Sequence, residues 1–401
     1  MDKTLNTELL ATLDALDARN RRRQLRALEW HDGRLLGSDG RPLIDVCSND
    51  YLGLSQHPLT KSRAAEWAVR YGAGAPSSRL VTGTRGITFA VEEKLAAFKG
   101  CEAALLIGSG FQANATVIPA LASLGDTLIF SDALNHSSIV HGCRLAKART
   151  IIFRHNDLNH LAELLLANTA HRGRRLIVTE SVFSMDGDRC DLAALVTLAE
   201  QHGAAVYVDE AHATGVIGPQ GRGMVADLPA SIGKVDVVMG TLGKAFGAYG
   251  AYIAGSRALI AFLVNRCAGF IYATALPPAV LGAVDAALEL IPTMEADRAR
   301  LSVNAKRMRS ALHAAGLDTL QSSTQIIPAI IGTEAAALAT AQRLNVAGIL
   351  AIAIRPPTVP LGTSRLRFCL NSALTDADMD AILAAVKNDG VSRAPTEARP
   401  Q

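Results

Sequence analysis

Through the middle of the chain, short runs of apolar and β-branched residues recur, separated by stretches whose apolar positions keep helical spacing. The runs AALLIG (103–108), TLIFSD (127–132), RTIIF (149–153), RLIVTES (175–181), AAVYVDE (204–210), VDVVMGT (235–241) and GAYIAG (250–255) predict strands. Nearly continuous apolar strands alternating with helices predict an α/β architecture, a mostly parallel sheet with helices on both faces. Ligands of such sheets sit beyond the carboxyl ends of the strands. The polar residues that close these runs are therefore the first candidates for chemistry.

At the N-terminus, Leu5, Leu9, Leu13 and Leu16 are spaced as on one helix face and predict a helix over 4–30 lying on a body. Its basic run, Arg21, Arg22 and Arg23, reads first as a solvated face. A long helical pattern over 286–316, after Pro277 and Pro278, predicts a connector into a smaller C-terminal α+β domain with strands TQIIPAIIG (324–332) and RLRFCL (365–370). The expected division is an N-terminal helical segment (1–48), a large domain (49–285), a small domain (286–390) and a disordered polar tail (391–401).

Composition narrows the partners. At 401 residues, 49% hydrophobic and 19% charged, the chain has the make-up of a folded protein large enough to bury a cofactor. Forty basic against 37 acidic residues, net +3, give no polyanion-binding surface, and 4% aromatic residues supply no stacking platform for nucleic acid. The expected partners are small molecules, with no nucleic acid. Cys47, Cys101, Cys143, Cys190, Cys267 and Cys369 stand singly, without metal or redox spacing, and predict buried thiols in a reducing, cytoplasmic compartment and no metal site. The N-terminus has no secretory pattern. The uncharged stretch 103–125 contains Gly108, Gly110, Gln112, Asn114 and Pro119, which suit a strand, turn and helix better than a membrane span.

The strongest constellation lies at strand ends. AAVYVDEAHATG places Asp209 at the close of an apolar strand with His212 three residues on; VDVVMGTLGKAFG ends in Thr241 and Lys244, flanked by Gly243 and Gly247. A lysine, a carboxylate and an imidazole converging there are what pyridoxal 5'-phosphate (PLP) needs: an amine to hold it and an acid to keep its ring nitrogen protonated. Glycines around the lysine suggest the close approach of something bulky. Singly, Asp209 also reads as a helix cap and Lys244 as a surface lysine; it is their joint spacing that points to a cofactor. Ser109 and Gly110, between a strand and a helix, could offer backbone amides to a phosphate, and His136 in a polar loop could stack on a ring.

The strings SNDYLGL, GSGFQAN, DALNHSSI, ESVFSMDG, VDEAHATG, GTLGKAFG, YATALPP and RPPTVPLGTSRLR, in this order over residues 48–370, resemble the α-oxoamine synthase family of fold-type I PLP-dependent transferases. The resemblance implies that Lys244 carries PLP and moves the substrate α-proton, that Asp209 pairs with the ring nitrogen, that His212 meets the ring hydroxyl and that His136 stacks over the ring. It implies backbone contacts to the cofactor from Gly110 and Phe111, further contacts from Ser184 and Thr241, and a phosphate contact from Thr274 of the partner subunit, hence a homodimer. Asn49, His136 and Arg367 would face substrate, Arg367 holding the amino-acid carboxylate. IRPPTVPLGTSRLR is most similar to members that join L-alanine to a pimeloyl thioester of coenzyme A or acyl carrier protein. Thr358 would then touch substrate, as would Arg21, or Arg23 in its stead, because the alignment there needs a gap. Sister activities make 5-aminolevulinate, 2-amino-3-oxobutyrate or 3-oxosphinganine. Transamination on the same fold and a PLP-sensing module are the rival readings, the latter without a DNA-binding segment to support it.

Overall fold

The computed structural model describes residues 4–388 apart from 32, 38 and 230–234; the tail expected over 391–401 lies outside the described residues. The chain divides into two compact units, one from the described residues of 1–48, 185–187 and 301–401, the other from those of 49–184 and 188–300.

The larger unit is built on a seven-stranded sheet whose strands we number β1 (Ala103–Ile107), β2 (Thr127–Asp132), β3 (Arg149–Phe153), β4 (Arg174–Glu180), β5 (Ala204–Asp209), β6 (Val237–Thr241) and β7 (Ala251–Gly255). Their order is β1-β7-β6-β5-β4-β2-β3. The pairs from β3 through β6 are parallel, and only β7 runs antiparallel to both its neighbours. Alternation along the strands feeds two cores. Ile129, Val178, Tyr207 and Met239 join Val117 and Ile118 on one face, while Leu128, Phe130, Ile177, Val206 and Val208 join Leu161 on the other. Both faces are therefore covered by helices, which is why these strands read as continuous apolar runs. The helices start where the sequence supplies acceptors: Ser109, Asp157, Asp191 and Ser256 each accept a first-turn N–H at the heads of Gly110–Ala122, Leu158–Ala167, Leu192–Gln201 and Arg257–Arg266. The stretch tested as a membrane span is thus β1 followed by a helix, and among the described residues no helix is long and apolar enough to cross a membrane.

In the smaller unit, Ile326–Gly332, Ser364–Cys369 and Ala353–Ile354 form an antiparallel sheet. Glu29–His31, Arg34–Leu36 and Pro42–Asp45 form a meander that Ile349–Leu350 joins in parallel. Two expectations change here. The helix over 4–30 spans only Leu5–Ala18, because Asn20 takes a left-handed φ of 55° that an α-helix cannot continue, and Leu5 and Leu9 are exposed rather than packed. The connector over 286–316 is two helices, Pro278–Leu290 and Glu295–Ala314, broken by the turn Ile291–Thr293, where Pro292 has no N–H to carry the ladder on.

Candidate active site

The parallel register brings the strand ends level: Glu180 closes β4 directly beside Asp209, and Asp209 pairs with Met239 of β6. Beyond these ends lies a cavity of about 180 Å³ lined by Gly110, Phe111, Asn114, His136, Ser138, Glu180, Asp209, Ala211, His212, Met239, Thr241 and Lys244. Seven of the residues expected at the site (Gly110, Phe111, His136, Asp209, His212, Thr241 and Lys244) therefore share one cavity.

Lys244 Nζ lies 2.7 Å from His212 Nε2, His212 Nδ1 lies 2.6 Å from the Tyr51 hydroxyl, and that hydroxyl donates to Asn49 Oδ1 at 3.0 Å. With the ammonium donating to Nε2, the ring proton sits on Nδ1 and is donated to the Tyr51 oxygen. The order Lys244–His212–Tyr51–Asn49 orients the lysine through a relay that the sequence reading had only in part, since it passed over Tyr51.

Asp209, 4% exposed, is held by neutral donors. Oδ1 accepts from the Ala211 amide and Oδ2 from Asn114 Nδ2, both at 2.8 Å, while Asn114 Oδ1 accepts from the Tyr207 hydroxyl at 2.7 Å. Asn114 sits on the helix that Gly110 opens, one turn in, and was likewise missed. Glu180 is also buried; burial first, and then the charge of Asp209, push its carboxyl well above the usual range, against the pull of the His136 amide and Lys244. The His136 backbone N–H donates to Glu180 Oε1 at 2.5 Å, and its Nδ1 accepts the Ser138 amide, capping the helix Ser137–Leu145.

The residues present fit PLP. A side chain on Gly110 would meet only Met239 and Thr241, at 3.8–3.9 Å, so the packing of the chain does not demand glycine there; the glycine bares the head of its helix to the cavity, where first-turn amides of 110 and 111 have no intrahelical acceptor. An amine, an anion held by neutral donors and open amides for a phosphate are the three things PLP asks of a protein. Of the two glycines beside Lys244, one has another account than close ligand approach. Gly247 has φ +62°, and a Cβ there would lie 2.1 Å from the Ser55 nitrogen, so that glycine answers to its own backbone; Gly243 meets only ordinary contacts.

The remaining expected residues lie elsewhere. Ser184 is buried just beyond β4, and Thr274, bridged to Ser78, lines a separate crevice with Arg79 and Gly108. Arg21, Thr358 and Arg367 belong to the smaller unit. There Arg21 is ion-paired with Glu334 at 2.6 Å, whereas Arg23 donates to Thr358 Oγ1 at 2.9 Å. The basic run is thus engaged within its unit and is not a purely solvated face. Arg367 stands on Ser364–Cys369, opposite Pro328.

A family model described as aminotransferase class I and II matches residues 41–386. The 8-amino-7-oxononanoate synthase of Gluconacetobacter diazotrophicus is 53% identical over 382 residues, covering 94% of this chain and 95% of its own. That of Geobacter sulfurreducens is 48% identical over 370 residues, 92% and 94% of the two chains. Among solved structures, one of SPT with PLP superposes with a TM-score of 0.89 at 28% identity, covering 97% of this chain and 98% of that one. The serine palmitoyltransferase of Sphingomonas wittichii gives 0.86 at 29% (97% and 98%), and the 8-amino-7-oxononanoate synthase from Francisella tularensis 0.74 at 28% (86% and 97%). With its fold-type I sheet, the match over most of its length and relatives near half identical, the chain belongs to the class I and II aminotransferase family, among its PLP-dependent acyltransferases.

Proposed function

We propose that this chain condenses L-alanine with a pimeloyl thioester, carried by coenzyme A or acyl carrier protein, to 8-amino-7-oxononanoate, carbon dioxide and the free carrier thiol, as a homodimer in biotin synthesis. The observation that carries the chemistry is the Lys244 amine 2.7 Å from His212 Nε2, in one cavity with Asp209. The substrates rest on relatives of that name at 48–53% identity. The serine palmitoyltransferase structures superpose better but share only 28–29% of residues, and acyl-chain choice is made by side chains, not by backbone course.

When bound, PLP supplies the electron sink that lets the substrate α-carbon lose its proton and later its carboxylate. Lys244 would hold it through Nζ until the substrate amine displaces that nitrogen, and the released Nζ would take the α-proton and return it at the end. The His212 relay orients that amine, and with PLP bound His212 Nε2 would turn from the amine to the ring hydroxyl, while Nδ1 keeps Tyr51. Asp209 would pair with the protonated ring nitrogen. The Gly110 and Phe111 amides, with Ser184, Thr241 and Thr274 of the partner subunit, would hold the cofactor, and His136 would stack on its ring. Asn49 and Arg367 take the amino acid, Arg367 its carboxylate. Thr358 and an arginine meet the polar far end of the acyl chain, and the bond to Thr358 favours Arg23 over Arg21.

The test is product mass and kinetics with L-alanine and acetyl, succinyl, pimeloyl and palmitoyl thioesters. Pimeloyl should give the highest kcat/KM. A palmitoyl or succinyl optimum would overturn the substrate assignment alone, and no reaction with any thioester would overturn acyl transfer. Some turnover of glycine is expected, because one methyl is worth only about 1–3 kcal/mol to a pocket.

A further inference from the structure

Outside the cavity, one imidazole is held between two carboxylates. His155, just after β3, has Nδ1 at 2.8 Å from Asp132 Oδ1 and Nε2 at 2.8 Å from Asp188 Oδ2. A carboxylate oxygen can only accept, so both ring nitrogens must carry protons and His155 is a cation between two anions. Its ring also stands edge-on to Phe183, centroids 4.4 Å apart.

The two carboxylates belong to different segments, and each segment carries a residue assigned to the cofactor. Asp132 ends β2, and its Oδ1 also accepts from the Leu134 amide, shaping the turn that delivers His136. Asp188 lies on the return arm of a short hairpin: Phe183 donates to the Asp188 carbonyl, Val182 bridges Arg189, and Ser184 follows on the outgoing arm. Asn156 ties the same two groups, its amide donating to Asp132 Oδ2 and its side chain to Asp188 Oδ2 at 2.7 Å.

We propose that His155 is a positioning residue whose positive charge clasps the turn that carries His136 to the hairpin that carries Ser184. The proposal rests on the PLP-site reading above for why these two segments need a fixed separation. Asp132 and Asp188 have side chains only 1% and 8% exposed, and Asp188 Oδ1 has no hydrogen-bond partner. A cation between two buried carboxylates offsets the cost of burying them. Of the other charges nearby, Arg154 on its own turn is bound to Asp157, Arg189 follows Asp188 along the hairpin, and burial raises the Cys190 thiol and keeps it neutral. Burial works against the imidazolium, but the two carboxylates win and raise it to about 10.

The experiment compares wild type, His155→Gln, Asp188→Asn and the double variant by hydrogen exchange of amides 133–138 and 182–190 and by PLP dissociation under reducing-agent-free, neutral conditions. His155→Gln should raise exchange in both segments together and weaken PLP binding about tenfold or more. Asp188→Asn leaves the Asp132 bond intact and should loosen 182–190 alone. Adding it to His155→Gln should restore much of the lost PLP affinity, because it removes one uncompensated charge. Unchanged exchange in either segment with His155→Gln, or a double variant worse than the sum of the singles, would overturn the clasp. If His155→Gln does not fold, the Asp188→Asn exchange pattern decides. Exchange is read without turnover, so a chain inactive with every thioester would sink the proposed reaction and leave this result standing.

Discussion

Asp209 and Glu210 are neighbours in the chain, both buried and both acidic, yet they meet opposite surroundings. Glu210 accepts from Lys99 Nζ at 2.6 Å, with the two side chains 0% and 1% exposed, and from the Val225 amide at 2.9 Å. Burial works against the Lys99 ammonium, but Glu210 more than offsets it. The charge of Glu210 is thereby spent inside the protein. Asp209 is held by an amide and a carboxamide, donors that orient it without neutralising it, and it faces the cavity. A buried acid matched by a lysine is framework; one matched by neutral donors retains a field for something that arrives later.

Four substitutions and one pH series test that contrast, in falling order of effect. Lys244→Ala should lower kcat by about 10⁴-fold or more, since it removes both the attachment point and the proton carrier. Steady-state turnover measures it, and borohydride reduction with peptide mapping of wild type should place the pyridoxyl label on Lys244. Glu210→Gln should lose about 3–5 kcal/mol of unfolding free energy in denaturant titrations, because Lys99 is left buried and uncompensated, with kcat of the folded fraction nearly unchanged. Asp209→Asn should do the reverse, cutting kcat about 10²–10³-fold while the denaturation midpoint moves little. If the two variants behave alike, the distinction drawn here is wrong.

The pH series concerns His155. Its folded-state value of about 10 stands above the 6.5 of a free imidazole, so its contribution to stability is complete below about 6.5 and is lost as pH rises toward 10. Denaturation midpoints of wild type should fall over that window more steeply than those of His155→Gln. Last, Arg21→Ala removes a partly exposed pair with Glu334 and should cost only about 0–1 kcal/mol, read by thermal melting.

How far the sequence carried depended on whether a residue announces itself locally. Asp209 closes an apolar run and Lys244 follows another among glycines, so both were visible from their own neighbourhoods. Glu180 was not, although it sits in a quoted string: its place beside Asp209 comes from β4 and β5 being adjacent and in register, which one-dimensional spacing does not contain. Tyr51 and Asn114 were hidden in the same way, Tyr51 being distant in the chain from the imidazole it touches. The strands of the large sheet were legible because burial on both faces leaves continuous apolar runs. The meander Glu29–His31, Arg34–Leu36 and Pro42–Asp45 is half-exposed and charged, and it carries no such signal. The break at Pro292 had its signal in plain view and was outweighed by a long apolar periodicity.

The pairing of Glu180 with Asp209 has a consequence for anyone who dissects the site by mutation. Burial first, and the charge of the neighbouring Asp209 second, favour the protonated form of Glu180, so the two acids side by side behave as a reserve. Replacing Asp209 by asparagine removes the charge that helps keep Glu180 neutral, so the glutamate becomes easier to ionise and can return a negative charge one strand away. Residual turnover of Asp209→Asn should accordingly climb with pH, and the climb should vanish when Glu180→Gln is added. Single substitutions here understate the worth of the carboxylate they delete, because its neighbour stands in for it.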